Sequence, residues 1–181
     1  MKGLSVLVVI VLSSTFAGLM MVNYYIDGFA QEGGSGSTFT SKGTIDSTTI
    51  SNGTEQFLLG GDWNLGVVNG EPIDFNADFT MVRVNGTDRH TMNLMHFRAD
   101  DNSTVVLSDD GSTTINGIMD IMGHGHLLWT NVTSEISINV YNTISITVNN
   151  EQTENHFPNG VKGIVQSLIP GFISSHTPHG K

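Results

Sequence analysis

The sequence predicts an all-β domain, an antiparallel β-sandwich or jelly roll, behind an apolar N-terminal signal or anchor helix. Three observations carry that prediction. From Thr38 to Asn149 apolar and polar residues alternate with a period of two, the pattern of strands with one buried face. The alternating runs are separated by Asn-Gly, Asp-Gly and Gly-Gly pairs, which are turn signals. Charged residues make up only 13% of the chain, which suits a β-rich extracellular domain better than a helical cytosolic one. Sequential, one-face-apolar strands of this kind pack into two facing sheets.

Taken in order, the first element is the N-terminus. Lys2 precedes an uncharged, largely apolar run from Gly3 to Ile26, and Gly28-Phe29-Ala30 places small residues before Gln31. Residues 1–30 therefore read as an export signal. The same run is long enough to span a bilayer if it is retained, as an anchor. Lys2-Gly3-Leu4 also resembles the cleavage site of archaeal type IV pilins, whose apolar helix is kept as a filament core. The expected location is exported: extracellular, pseudoperiplasmic or at the cell surface, with membrane contact only through residues 1–26. Residues 31–37 (QEGGSGS) form a Gly/Ser linker. The folded domain is expected over 38–173, with a flexible tail at 174–181.

Ten strands are expected within the domain: Thr38–Ile50, Gln56–Leu59, Asp62–Val68, Ile73–Val84, Arg89–Phe97, Val105–Ser108, Thr113–Ile121, His126–Trp129, Glu135–Val140 and Ile144–Val148. Val161, Ile164, Val165 and Leu168 fit a short helix over Val161–Leu168, with a strand as the alternative. Two hairpins can be registered by parity. A turn at Asn85-Gly86 pairs Met81 with His90, Phe79 with Met92, Ala77 with Leu94 and Phe75 with His96, all on the core face. A three-residue loop at Tyr141-Asn142-Thr143 keeps Ile136, Ile138 and Val140 on the same face as Ile144, Ile146 and Val148.

Composition excludes several functions. The net charge is −10 and the chain holds only seven Lys and Arg, so no nucleic-acid surface is expected. With no cysteine, disulfides are ruled out, and so is the thiolate-bound blue-copper site. No nucleophile elbow, HExxH, P-loop or dinucleotide fingerprint occurs, so a non-enzymatic protein is expected.

The chemistry-bearing residues are histidine and methionine. Beyond the N-terminal segment, every methionine falls between Met81 and His96 or between Met119 and His126. Each block also carries two histidines, and thioether with imidazole points to copper, as Cu(I) or Cu(II). His124-Gly125-His126 leads. As strand residues i and i+2, the two imidazoles would stand on one side, about 7 Å apart at Cα. Met122 lies just upstream as a soft ligand. The competing reading is a polar loop whose histidines face water. Two residues do not complete a site, and His90 and His156 are the candidate partners. His90 and His96 cannot cooperate, since six strand residues separate them by about 20 Å. For Met81, Met92 and Met95, filling gaps in the core is the plainer explanation. His176 and His179 fall in the tail. The acidic turns Asp100–Asn102 and Asp109–Gly111 lack EF-hand spacing, so calcium is not expected. Sequons occur at Asn52, Asn85, Asn102 and Asn131, with Asn85 best placed for a glycan at a hairpin tip.

The run from Trp63 through Asn69-Gly70, Phe75–Met81 and His90-Thr91, then Asn155-His156-Phe157 and Gly163-Ile164-Val165, resembles small exported proteins of ammonia-oxidising archaea. So does the segment ending Phe29-Ala30-Gln31. The resemblance covers most of the chain beyond the signal and implies an exported setting rich in copper proteins, without an assigned activity. Where some of those proteins carry His-Thr-His, this chain has His90-Thr91-Met92. Together these readings lead to an exported, non-enzymatic β-protein that binds copper through His124, His126, Met122, His90 and His156. The alternative is a surface-assembly or adhesion protein, such as a pilin-like subunit, in which those side chains are structural.

Overall fold

The computed structural model describes residues 36–51, 53–101 and 103–171. The predicted signal or anchor, most of the Gly/Ser linker, the tail with His176 and His179, and the sequons at Asn52 and Asn102 lie outside the described residues.

Eight strands follow in order: β1 (Phe39–Ser51), β2 (Thr54–Val68), β3 (Glu71–Arg83), β4 (His90–Ala99), β5 (Thr113–Gly123), β6 (His126–Asn139), β7 (Thr143–Val148) and β8 (Val161–Pro170). Each pairs antiparallel with the next, and β8 returns to pair with β1. The fold is a closed up-and-down barrel. The expected sandwich or jelly roll is therefore wrong: there is one sheet, closed on itself, with no Greek-key crossing. Closure removes the exposed edges that an open sheet would have to protect.

Closure depends on close backbone approach along the β1–β8 seam. A β-carbon on Gly43 would stand 1.8 Å from the Ile164 carbonyl oxygen, and one on Gly163 would stand 2.2 Å from that of Thr44. The Trp63 indole N–H donates to the same Ile164 carbonyl at 3.3 Å. Only glycine fits where two strands press together at a barrel corner.

Four predicted strands merge into two. Gln56–Leu59 and Asp62–Val68 are halves of β2, which runs straight through Gly60-Gly61. That pair is not a turn, because a β-carbon at Gly61 would collide with Asp78 of β3, 2.1 Å from its carbonyl oxygen. His126–Trp129 and Glu135–Val140 likewise belong to β6, apart from Val140. Val105–Ser108 is not a strand; it lies in the β4–β5 connection and makes one bridge, Gly36 to Leu107. Val161–Leu168 is strand rather than helix. Val161, Gly163 and Val165 face inward, while Ile164 is half exposed.

The first hairpin register agrees with the parity argument, and the second keeps its parity but is displaced by two residues. Met81 pairs with His90, Phe79 with Met92 and Ala77 with Leu94. The connecting turn is longer than two residues. Arg83 N–H donates to the Thr87 carbonyl at 2.9 Å, and Gly86 N–H donates to that of Arg83 at 2.7 Å. Gly86 and Asp88 are both left-handed, so a bulge at each restores the parity. In the other hairpin, Ile138 pairs with Ile144 and Ile136 with Ile146. Its loop is 140–142, one place earlier than expected, so Val140 lies exposed in the loop and not on the core face. The predicted Phe75–His96 pair does not form. A bulge between Met95 and Arg98, with His96 left-handed at φ 52°, turns His96 outward and Phe97 inward. The Phe97 ring meets Phe75 edge-on at 5.9 Å.

An eight-stranded barrel is just wide enough for side chains to fill it. Here the interior holds Ile45, Trp63, Leu65, Ala77, Phe79, Leu94, Ile115, Ile121, Ile136, Ile138, Ile144 and Ile146, all buried. The β4–β5 connection closes one end with Val105 and Leu107, and the β7–β8 connection closes the other with Phe157. Outward positions carry Lys42, Asp62, Asp78 and Glu135, all exposed. That polarity is the reverse of a lipid-facing barrel. The interior is packed with side chains, so the barrel holds no central ligand cavity among the described residues.

Candidate metal centre at one mouth of the barrel

The up-and-down topology delivers the β1–β2, β3–β4, β5–β6 and β7–β8 connections to the same mouth. Three of them bring a histidine there: His90 at the start of β4, His124 in the β5–β6 turn and His156 in the β7–β8 loop. The His90 and His124 rings stack with centroids 5.0 Å apart and planes inclined by 25°. His156 lies 5.6 Å from His90. Phe57, Trp129 and Phe157 wall the cluster, at 5.7 Å from His90 and at 5.5 Å and 4.9 Å from His156 respectively.

Each histidine is placed by local chemistry. His90 is 8% exposed, and its Nδ1–H donates to the Asp88 carbonyl at 3.3 Å. Because a carbonyl only accepts, this bond fixes the proton on Nδ1 and leaves the Nε2 lone pair free. The Asp88 carboxylate stands 3.7 Å from the same Nδ1 and is held by Arg83 at 3.1 Å. Arg83 in turn lies over the Phe57 ring at 4.8 Å.

His124 and Gly125 both have positive φ, 53° and 76°. They form the two-residue turn between Gly123 and His126, the pattern of a type I′ hairpin. His124 N–H donates to the Thr91 carbonyl at 3.1 Å, which leans the turn onto β4 and onto His90. His156 follows two successive left-handed residues, Glu154 and Asn155. Its loop is pinned by Asn155 N–H to the Asn150 carbonyl at 2.7 Å. The Asn159 carboxamide also accepts from Ile50 N–H at 2.8 Å.

Two ring nitrogens in this cluster, His90 Nε2 and His156 Nε2, are buried without a hydrogen-bond partner. Buried polar groups are normally paired, and an orphan costs about 1–3 kcal/mol. The pKa of His156 is pushed below its usual value by burial first, then by the charges that His90 and His124 would carry; Asp88 opposes the shift. This favours neutral imidazole, the form that binds metals. The linkage has a definite sign. Because the folded pKa is depressed, the unfolded chain binds the proton more readily, so stability is full above about pH 6.5. It is lost as pH falls from there through the folded pKa. We expect urea midpoints of the metal-free protein to fall between pH 7 and pH 5, and His156→Asn to flatten that slope.

The remaining predicted site residues are placed differently. His126 does not share a strand face with His124, because His124 is a turn residue; His126 opens β6 and is exposed. Met122 faces away from the interior, on the opposite side of β5 from the buried Ile121 and Gly123. The thioethers of the inner layer belong instead to Met81 and Met92, 0% and 2% exposed. Met81 pairs with His90 and Met92 pairs with Gly123, beside His124. His96 is engaged elsewhere, with its Nδ1 3.2 Å from Asp120. Although burial opposes it, Asp120 stays more acidic than usual through the bonds from Asn131 N–H and His96 and the charge of Arg98. Asn131 accepts from Arg98 at 2.6 Å, so its amide is part of that exterior cluster. Asn85 is exposed at the β3–β4 tip, its side-chain oxygen accepting from Thr87 N–H at 3.0 Å.

Two ring spacings, His90–His124 at 5.0 Å and His90–His156 at 5.6 Å, are those of ligands of one ion. With metal–nitrogen bonds of about 2.0–2.1 Å and tetrahedral angles, imidazole centroids around a shared metal stand roughly 5 Å apart. Their orientation is not yet that of ligands. Among the described residues no group of three or more His, Asp or Glu is arranged round a common ion position, and the near-parallel His90 and His124 rings would have to turn about χ2 to converge. Trp129, Phe57 and Asp88 did not announce themselves in the sequence, although Asp88 lies two residues before His90, the spacing its carbonyl contact requires. No protein-family model matches the chain, and no curated protein or solved structure is significantly similar to it.

Proposed function

We propose that this is an exported, non-enzymatic protein that binds one copper ion at the barrel mouth through His90, His124 and His156. One observation carries the reading: three imidazoles from three separate connections meet at one mouth, His90 and His156 against aromatic rings with buried, unpartnered Nε2 atoms, and His124 exposed and stacked on His90. A cluster of imidazoles suits copper, nickel and zinc, and the neighbouring thioethers of Met81 and Met92 tilt the choice toward copper. The apolar N-terminal run supports the exported setting.

The reading moves the site off the His124-Gly125-His126 strand pair first expected, and the two histidines of that pair separate it cleanly. In copper titrations of the purified protein, His126→Ala leaves uptake at one equivalent with unchanged affinity. His124→Ala weakens binding by about tenfold or more. Loss of binding in His126→Ala, with His124→Ala unaffected, would contradict the assignment.

A further inference from the structure

Resting on the copper reading above, we propose that the ion held is Cu(I) rather than Cu(II), and that the Met92 thioether is its fourth ligand. The argument begins with charge. The three rings are neutral donors, and no carboxylate is among them. Asp88 meets His90 at Nδ1, away from the free Nε2. The walls are Phe57, Trp129 and Phe157; His90 is almost fully buried, His156 is partly buried and His124 is exposed. The cost of desolvating an ion grows with the square of its charge, so such a pocket burdens a divalent ion about four times as much as a monovalent one. Without an anionic protein ligand, a divalent ion must draw its compensating charge from solvent on the exposed His124 side, whereas a monovalent ion needs less.

The second part of the argument is the sulfur. Met92 stands two residues along β4 from His90, on the same inward face. Its Sδ lies 3.0 Å from where a β-carbon on Gly123 would stand, so the sulfur reaches to the residue that leads into His124. Leu128 Cδ1 stands nearer still to that point, at 2.5 Å, so the sulfur and Leu128 share the space beside Gly123. A thioether is soft and uncharged, and it selects Cu(I) over harder ions. Met81 is equally buried and pairs with His90 from the neighbouring strand β3. It serves as the control.

The test is an anaerobic Cu(I) competition titration of the full chain against a chromophoric chelator, run beside Cu(II) and Zn(II) titrations. X-ray absorption of the Cu(I) form accompanies it. The expected result is one tightly held Cu(I), weaker Cu(II) and Zn(II), and one sulfur scatterer at about 2.3 Å beside nitrogen. Met92→Leu, which conserves volume in the core, is expected to remove the sulfur scatterer. It should also lower Cu(I) affinity by about tenfold or more while changing Cu(II) affinity little; Met81→Leu should do neither. Cu(II) or Zn(II) bound as tightly as Cu(I), or wild-type spectra without sulfur, would overturn this inference while leaving the three-histidine site standing. If copper binds in neither oxidation state, the three-histidine reading itself is overturned. The wild-type spectrum decides the ligand question even if Met92→Leu fails to fold.

Discussion

Replacing His90 and His156 together with phenylalanine abolishes copper uptake and leaves the barrel at least as stable as before. Two of the three proposed nitrogen ligands are lost. Since outer partners of metal ligands alone are worth 10–100-fold in affinity, loss of two ligands exceeds about a hundredfold. The stability half of the prediction follows from the same atoms. Each buried, unpartnered Nε2 costs about 1–3 kcal/mol in the metal-free protein. Phenylalanine keeps a ring against Phe57 and Trp129 and removes that cost. We therefore expect equal or higher urea midpoints for the metal-free double variant, and no copper retained after desalting. A double variant that unfolds, or that still retains a full equivalent of copper, contradicts this account of the cluster.

Gly43→Val has the largest expected effect on the fold. A β-carbon there would stand 1.8 Å from the Ile164 carbonyl oxygen and 2.9 Å from the Trp63 indole nitrogen. Neither is a flexible tip that can swing aside, so β1 and β8 must part. Overpacking of side chains costs about 1–3 kcal/mol, and a backbone collision at the closure seam should exceed that range. At about 2–4 °C per kcal/mol for a domain of this size, the melting temperature should drop by roughly 10 °C. Amide exchange should accelerate first along β1 and β8, because opening begins where the pairing is forced apart. Gly60→Ala is the matched control, since a β-carbon at Gly60 meets nothing within 4 Å.

Strand content, most inward faces and the register of the Met81–His90 hairpin were legible because they follow from local alternation, while the second hairpin kept its parity but not its register. The Met81–His90 register needed only parity. Barrel closure was not legible, because an alternating strand looks the same in a sandwich and in a barrel. What decides is the pairing of Phe39–Ile45 with Gly163–Pro170, between opposite ends of the domain. The glycines that permit it mimic turn residues, which is also why Gly60-Gly61 was read as a break. Val161–Leu168 misled because Val161, Ile164, Val165 and Leu168 satisfy a helical spacing by coincidence. Gly163, which carries no apolar signal, in fact holds the inward position.

At the site, residue types were legible and geometry was not. His90, His124 and His156 could each be named from the sequence, but His126 was grouped with His124 on the assumption of a continuous strand. The left-handed pair His124-Gly125 makes a turn instead and sends the two side chains to different surroundings. Met122 was favoured over Met92 for its proximity in sequence, whereas alternation along β5 turns Met122 away. Met81 and Met92 do fill the core, as the plainer reading held, yet they form the layer directly beneath the histidines. His96 was expected inside and lies outside, because a single left-handed residue inverts parity from that point on.

The most direct test is the position of the ion. Crystals of the protein grown with one equivalent of copper should give a single peak in an anomalous difference map at the copper edge. The account predicts that peak among His90, His124 and His156, at the mouth walled by Phe57, Trp129 and Phe157. A copper peak at His126 or at the exterior His96–Asp120 pair, with none in the mouth, would contradict it.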